Sequence, residues 1–221
     1  MFSVLSMSAR HPDGDDAAYL EWHMLDHLPE QYRIAAIRSG QRWVSTARCR
    51  KARLVSKAPF DAVDHLVSYL FADDALDEFF RLGGELRGLD RMPILLPRIH
   101  VGIWDLVDKA ANPAALVAAD VVPWRPNRGV YLILDRTGST DAAAALACVD
   151  GVAGVWRFQG TSGRHARAQD CGEIEATICY LDGDPVGAAE AIAAHILPGE
   201  SMMLAAPFES MVPFDWDRVL P

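Results

Sequence analysis

The chain has 221 residues, 51% of them hydrophobic, enough to bury a sizeable core as one large domain or two small ones. Its net charge of −9 repels phosphate backbones, so no nucleic-acid partner is expected. No uncharged apolar stretch approaches the roughly 20 residues of a membrane span, and the opening MFSVLSMSARHPDGDD lacks the basic leader of a signal peptide.

Period-two alternation marks strands, and stripes at helical spacing mark helices. Residues 2–9 (FSVLSMSA) are predicted to be a strand, and 15–28 a helix opened by Asp13, Asp15 and Asp16. Those charges suit a helix N-terminus. Residues 39–49 (SGQRWVSTARC) read as a strand led in by Gly40, 64–72 (DHLVSYLFA) as a strand, 73–86 as a helix and 98–107 as a strand. A stretch with Pro113, Pro123 and Pro126 follows, read as a linker over 110–127. Beyond it come a strand at 129–136, a helix at 139–149 capped by Ser139 or Thr140, strands at 151–161 and 173–181, a helix at 184–196 and a broken last strand at 202–216.

The order β-α-β-β-α-β therefore occurs twice, in residues 1–109 and again, more degenerately, in 128–221. HLVSYLFADDALDEFF parallels ATICYLDGDPVGAAEA, and GQRWVST parallels GVWRFQGT. Such a half is the ferredoxin-like split unit, an antiparallel sheet with both helices on one face. Its other face is bare and must be covered. The expected fold class is α+β: two ferredoxin-like units whose sheets pack face to face into an α+β barrel with the helices outside, an intramolecular pseudo-dimer able to dimerise further. Cys49, Cys148, Cys171 and Cys179 make no C-x-x-C pair, so they read as reduced thiols in a cytoplasmic protein.

YLEWHMLDHLPE on the first helix, followed by a glycine-led strand with Trp43, resembles the dimeric α/β-barrel group, and within it the EthD-like members. In that group an aromatic, a histidine and a proline recur on the first helix. The resemblance covers residues 1–107 and is only topological beyond 128. It implies paired ferredoxin-like units with a small-molecule cavity between sheet and helices. Members include muconolactone isomerase relatives and cofactor-free oxygenases.

On a helical wheel Ala17, Leu20, Met24, Leu25 and Leu28 gather on one side, and Tyr19, His23, Asp26, His27 and Glu30 on the other. A polar sector opposite a core stripe is ordinarily solvated. Pro29, however, is expected to end or kink the helix and so to redirect His27 and Glu30. A histidine there, with carboxylates one turn away, is a candidate general base or acid, with His23 or Tyr19 assisting. The i, i+4 spacing of His23 and His27 also suits a shared metal, but no third ligand announces itself, and no metal or cofactor is expected.

From Arg33 to Lys57 there are eight basic residues and no acidic one. They form either an anion funnel for a carboxylated substrate, with Arg42 its inner member, or a face that cancels the acids of 13–30. Trp22, Trp43 and Tyr69 are candidates for an apolar wall, and His65 and His100 either face a cavity or sit at strand ends. The polar stretch 162–172 (SGRHARAQDCG) reads as a mobile loop or a cavity lid. No phosphate-binding glycine motif and no G-x-S-x-G elbow is present. Three readings stay open: an enzyme that isomerises, cyclises or oxygenates an aromatic or carboxylated metabolite, a non-catalytic ligand carrier, or a haem-associated barrel with a histidine as axial ligand.

Overall fold

A computed structural model of the chain describes residues 1–136 and 142–217. The first half runs β1 (Phe2–Ser8), α1 (Asp16–Trp22), a π-helical turn (His23–His27), α2 (Leu28–Gln31), β2 (Ile37–Val44), α3 (Ala47–Lys51), β3 (Val55–Ser56), β4 (His65–Phe71), α4 (Leu76–Gly88) and β5 (Arg98–Ala111). The second runs β6 (Gly129–Asp135), α5 (Ala142–Ala147), β7 (Val152–Gly160), β8 (Glu175–Leu181), α6 (Pro185–Ala193) and β9 (Met202–Ser210). Short 3-10 turns at Pro113–Ala115 and Ala119–Trp124 bridge them.

All strand pairings are antiparallel, in the order β2-β4-β1-β5-β7-β8-β6-β9-β3, and a further pairing of β2 with β9 closes the first eight strands of that order into a barrel. The expected pair of separate sheets, packed face to face, is corrected here: the two sets of four strands join edge to edge. One seam is long, with β5 against β7 from Trp104↔Gly160 to Ala111↔Gly154. It forms because β5 runs on past the predicted limit of 107 to Ala111. The other seam is short, only Trp43↔Ser210 and Val44↔Glu209. Closure leaves no open edge on the barrel strands.

Alternation along each strand then defines an inside and an outside. Inward side chains from both halves, among them Leu5, Trp43, Trp104, Trp156, Phe158 and Phe208, form one buried cluster. Side chains fill an eight-stranded barrel of this kind, so its interior is a core. Outside, Tyr131, Val155, Cys179 and Leu181 are covered by α5 and α6, and Val4, Val67, Tyr69 and Ile103 by the helices of the first half.

Three local expectations change. The strand predicted over 39–49 stops at Val44, and Thr46 then caps α3 by accepting the Cys49 N–H. The last strand is continuous through Pro207, which faces Tyr131 on one flank. On its other flank the β3 pairing reaches Ala205 and the β2 pairing begins at Glu209, so the N–H that proline lacks has no ladder position to fill. Finally, the helix predicted over 15–28 does not end at Pro29 but continues to Gln31. A wide turn absorbs the proline, with Leu28 N–H bonded to His23 O. The proposed caps Ser139 and Thr140 lie outside the described residues. Among the described residues no helix is long and apolar enough to cross a membrane.

Candidate functional site

The helical segment 16–31 and α4 lie over the outer faces of β1, β4 and β5, and a cavity of about 580 Å³ remains beneath them. Two glycines, Gly83 and Gly84, stand in the middle of α4 and line this space, where side chains would narrow it. In the second half the matching layer is alanine-rich: Ala143, Ala147, Ala188 and Ala189 pack directly on the strands.

His23 and His27 both line the cavity, their ring centroids 5.3 Å apart on the π-helical turn. π-Turns within α-helices are often found at functional positions. His23 is buried, with Nε2 3.3 Å from the Tyr69 hydroxyl. Tyr69 reaches it because its ring lies over Gly40 across the β2–β4 pair, where a Cβ would sit 3.2 Å from the ring. Burial pushes the Tyr69 phenol up from its usual range, so it stays protonated and donates. Burial also drives His23 well below the ordinary imidazole value, with the charge of Arg42 adding to the effect. His27 is lowered to about 4, by burial first and against the pull of Asp26. Its Nε2 is 3.4 Å from the Gln31 side-chain amide. Both rings are therefore neutral at pH 7. Their Nδ1 atoms are buried without a protein partner among the described residues.

A second network stands behind Tyr19. Asp16 Oδ1 is 2.7 Å from His65 Nε2, Arg42 Nη2 is 3.1 Å from His65 Nδ1, and Arg42 Nη1 donates to the Tyr19 hydroxyl at 3.3 Å. A guanidinium only donates, so His65 Nδ1 accepts and its Nε2–H points to Asp16. The Asp16–His65 contact is thus a hydrogen bond from a neutral ring, and burial lowers His65 to about 4 despite the carboxylate. Burial raises Asp16, but the bonds from His65 and the His11 N–H outweigh it and leave its carboxyl below its ordinary value. With its oxygen held by Arg42, the Tyr19 hydroxyl proton is free to turn to the cavity that Tyr19 lines.

Tyr19, Trp22, His23, His27 and Tyr69 thus line one space, and Arg42 and His65 stand outside it, behind Tyr19. Trp43 and His100 also stand outside it, because strand alternation turns them into the barrel. Trp43 donates to Asn127 Oδ1 at 3.0 Å, and the His100 ring packs 5.8 Å from Phe60 and 6.1 Å from Trp104. The basic stretch forms no funnel. Arg48 pairs with Glu209 and Asp184, Arg50 and Arg53 with Asp64, and, among the described residues of this stretch, only Arg33 with an acid of the first helix, Glu30. Glu30 and Asp26 turn outward to Arg91, at 3.0 and 2.8 Å, while the Arg91 carbonyl accepts from Trp22 Nε1. This clasp holds the 92–96 segment, which contributes Met92, Leu95 and Leu96, over the cavity.

Sequence reasoning missed Gln31, Phe79, Phe80, Arg87, Arg98 and Arg167, which also line the cavity. The adjacent glycines of FFRLGGEL, costly inside a helix, were the available signal for α4. Among the described residues no group of three or more His, Cys, Asp or Glu is placed to hold a metal ion.

No family model and no curated protein matches the chain. One solved structure that resembles it is described as "Crystal structure study of anthrone oxidase-like protein". The two share 11% identity at a TM-score of 0.49, over 96% of this chain and 91% of the other. A likeness at that level transfers neither residues nor chemistry.

Proposed function

We propose that the chain is a small-molecule enzyme that removes or returns a proton on an aromatic metabolite without a bound cofactor. The observation that carries this reading is a pair of neutral imidazoles, His23 buried and His27 half-buried, in the lining of an aromatic-walled cavity. His27 is the proposed base. At neutral pH it is fully in the acceptor form, and negative charge developing on a substrate beside it raises its proton affinity as transfer proceeds. His23, with Tyr69, and Tyr19, with Arg42 behind it, are the proposed donors to the oxygen on which that charge gathers. Trp22 supplies apolar wall. Isomerisation, cyclisation and cofactor-free oxidation all begin with such a step.

The haem reading fits His23 poorly, since the Nε2 atom an axial ligand would use already meets the Tyr69 hydroxyl. We further propose that residues 1–109 and 128–221 are two ferredoxin-like units of one duplicated, EthD-like chain, an intramolecular pseudo-dimer working in the cytoplasm. The orders β5-β1-β4-β2 and β7-β8-β6-β9 support this, because in each the first strand lies between the third and the fourth.

The test is a His27→Gln substitution, assayed for turnover across aromatic acids, phenols and lactones. Turnover is expected to fall by about 10²–10⁴ while ligand affinity changes less than about threefold. Turnover unchanged in the variant removes His27 as the base. Ligand binding with no turnover in the wild type replaces the enzyme with a carrier.

A further inference from the structure

The cavity has a polarity that the proton-transfer reading leaves unused. Of its polar lining, His23 is buried and His27 half-buried, whereas Arg87, Arg98 and Arg167 are all exposed and form its rim. Among the described residues no carboxylate lines it, in a chain with 30 acidic and 21 basic residues. Arg87, in the last turn of α4, and Arg98, the first residue of β5, make no side-chain hydrogen bond or ion pair among the described residues. Neighbouring arginines are treated otherwise: Arg164 is neutralised by Asp105, and Arg91 by Asp26 and Glu30.

Arg167 comes from the other half of the chain. The segment 161–174 between β7 and β8 is packed rather than loose. Before Trp104, β5 has no β7 partner, and this segment takes that flank. Gln169 N–H donates to Val101 O at 2.7 Å, Val101 N–H to Gln169 Oε1 at 2.7 Å, and Thr161 N–H to Ile103 O at 3.0 Å. His165 stacks on Phe80 at 4.1 Å, and Arg167 Nη1 donates to Phe80 O at 2.6 Å. The guanidinium lies 3.5 Å from the position a Cβ would take on Gly84. An arginine delivered from a distant loop thus passes over the helix face at Gly84, at ordinary contact distance from a Cβ there.

We infer that Arg87, Arg98 and Arg167 bind an anionic group of the ligand, a carboxylate on an aromatic body, so that the second half of the chain completes the site of the first. This deepens the proposed function and rests on it: the ring system occupies the aromatic middle of the cavity, the carboxylate meets the guanidinium rim, and the reacting atom faces His27. Guanidinium–carboxylate bonds are charge-assisted, directional and often bidentate.

The experiment uses the full chain and two probes of one shape, 2-naphthoate and its neutral amide, 2-naphthamide, titrated by calorimetry. The wild type is expected to prefer the carboxylate by about tenfold, roughly the worth of one net charge-assisted bond. In R87Q/R98Q, whose side chains hold nothing else in place, and separately in R167Q, that preference falls to about threefold or less, while 2-naphthamide affinity stays within about twofold. An R167K variant recovers part of it. A wild type that binds both probes equally, or variants that keep the tenfold preference, overturn the rim assignment and leave the cavity reading standing. Failure of both probes to bind at millimolar concentration contradicts the cavity reading and the rim together.

Discussion

Charge and burial at single residues set what the cavity can do. Free imidazoles protonate near 6.5, and the folded chain holds His27 and His65 near 4 because burial disfavours their charged forms. Between about pH 6.5 and 4 the unfolded chain therefore binds more protons than the folded one. Stability is full above that window and is lost as pH falls through it, at about 1.4 kcal/mol per pH unit for each ring. Urea midpoints measured from pH 7 to 4 should show this slope, and His27→Gln should remove one ring's share. A pH-independent midpoint would mean the rings are not buried as described. Tyr69→Phe leaves the buried His23 without its donor, and an unfolding free energy lower by about 1–2 kcal/mol is expected.

At the scale of elements, α4 and the π-helical turn give up helix stability to open the space between them. Gly83 has nothing within 4 Å of a Cβ built on it. Gly83→Ala should therefore raise the melting temperature, through about 0.5–1 kcal/mol of helix propensity. Gly83→Trp should fill the cavity and abolish 2-naphthoate binding while the protein stays folded. Much at this scale was legible in the sequence: the predicted strand at 64–72 is β4 at His65–Phe71, and the predicted helix at 184–196 is α6 at Pro185–Ala193. The inward face of each strand was not legible. All seven residues of β4 are buried, one set against the barrel core and the other against helices, so alternation had no polar side to report. For that reason His65 and His100 were equivalent in the sequence, and only the closed barrel separates them. The π-turn was illegible for another reason. Pro29 signals a lost donor, but whether a helix stops or widens depends on what packs beneath it.

The whole molecule is a barrel whose core belongs to neither half alone. Leu5, Trp43 and Trp104 from the first meet Trp156, Phe158 and Phe208 from the second in one cluster. Trp156→Ala should therefore destabilise the entire chain, by about 3–5 kcal/mol, in one cooperative transition seen alike by far-UV circular dichroism and by tryptophan fluorescence. Two separate transitions would show that the halves hold themselves up independently. The element order of each half could be read from the sequence, but the edge-to-edge seams and the delivery of Arg167 across them could not, since both depend on contacts distant along the chain. The account as a whole requires that an aromatic ligand lie outside the barrel, between the first helix and α4. The most direct measurement is a crystal structure of the full chain grown with 2-naphthoate. Ring density between His27 and Phe79, with the carboxylate toward Arg98, is the predicted result; density inside the barrel, or a cavity left empty with the ligand bound elsewhere, would contradict it.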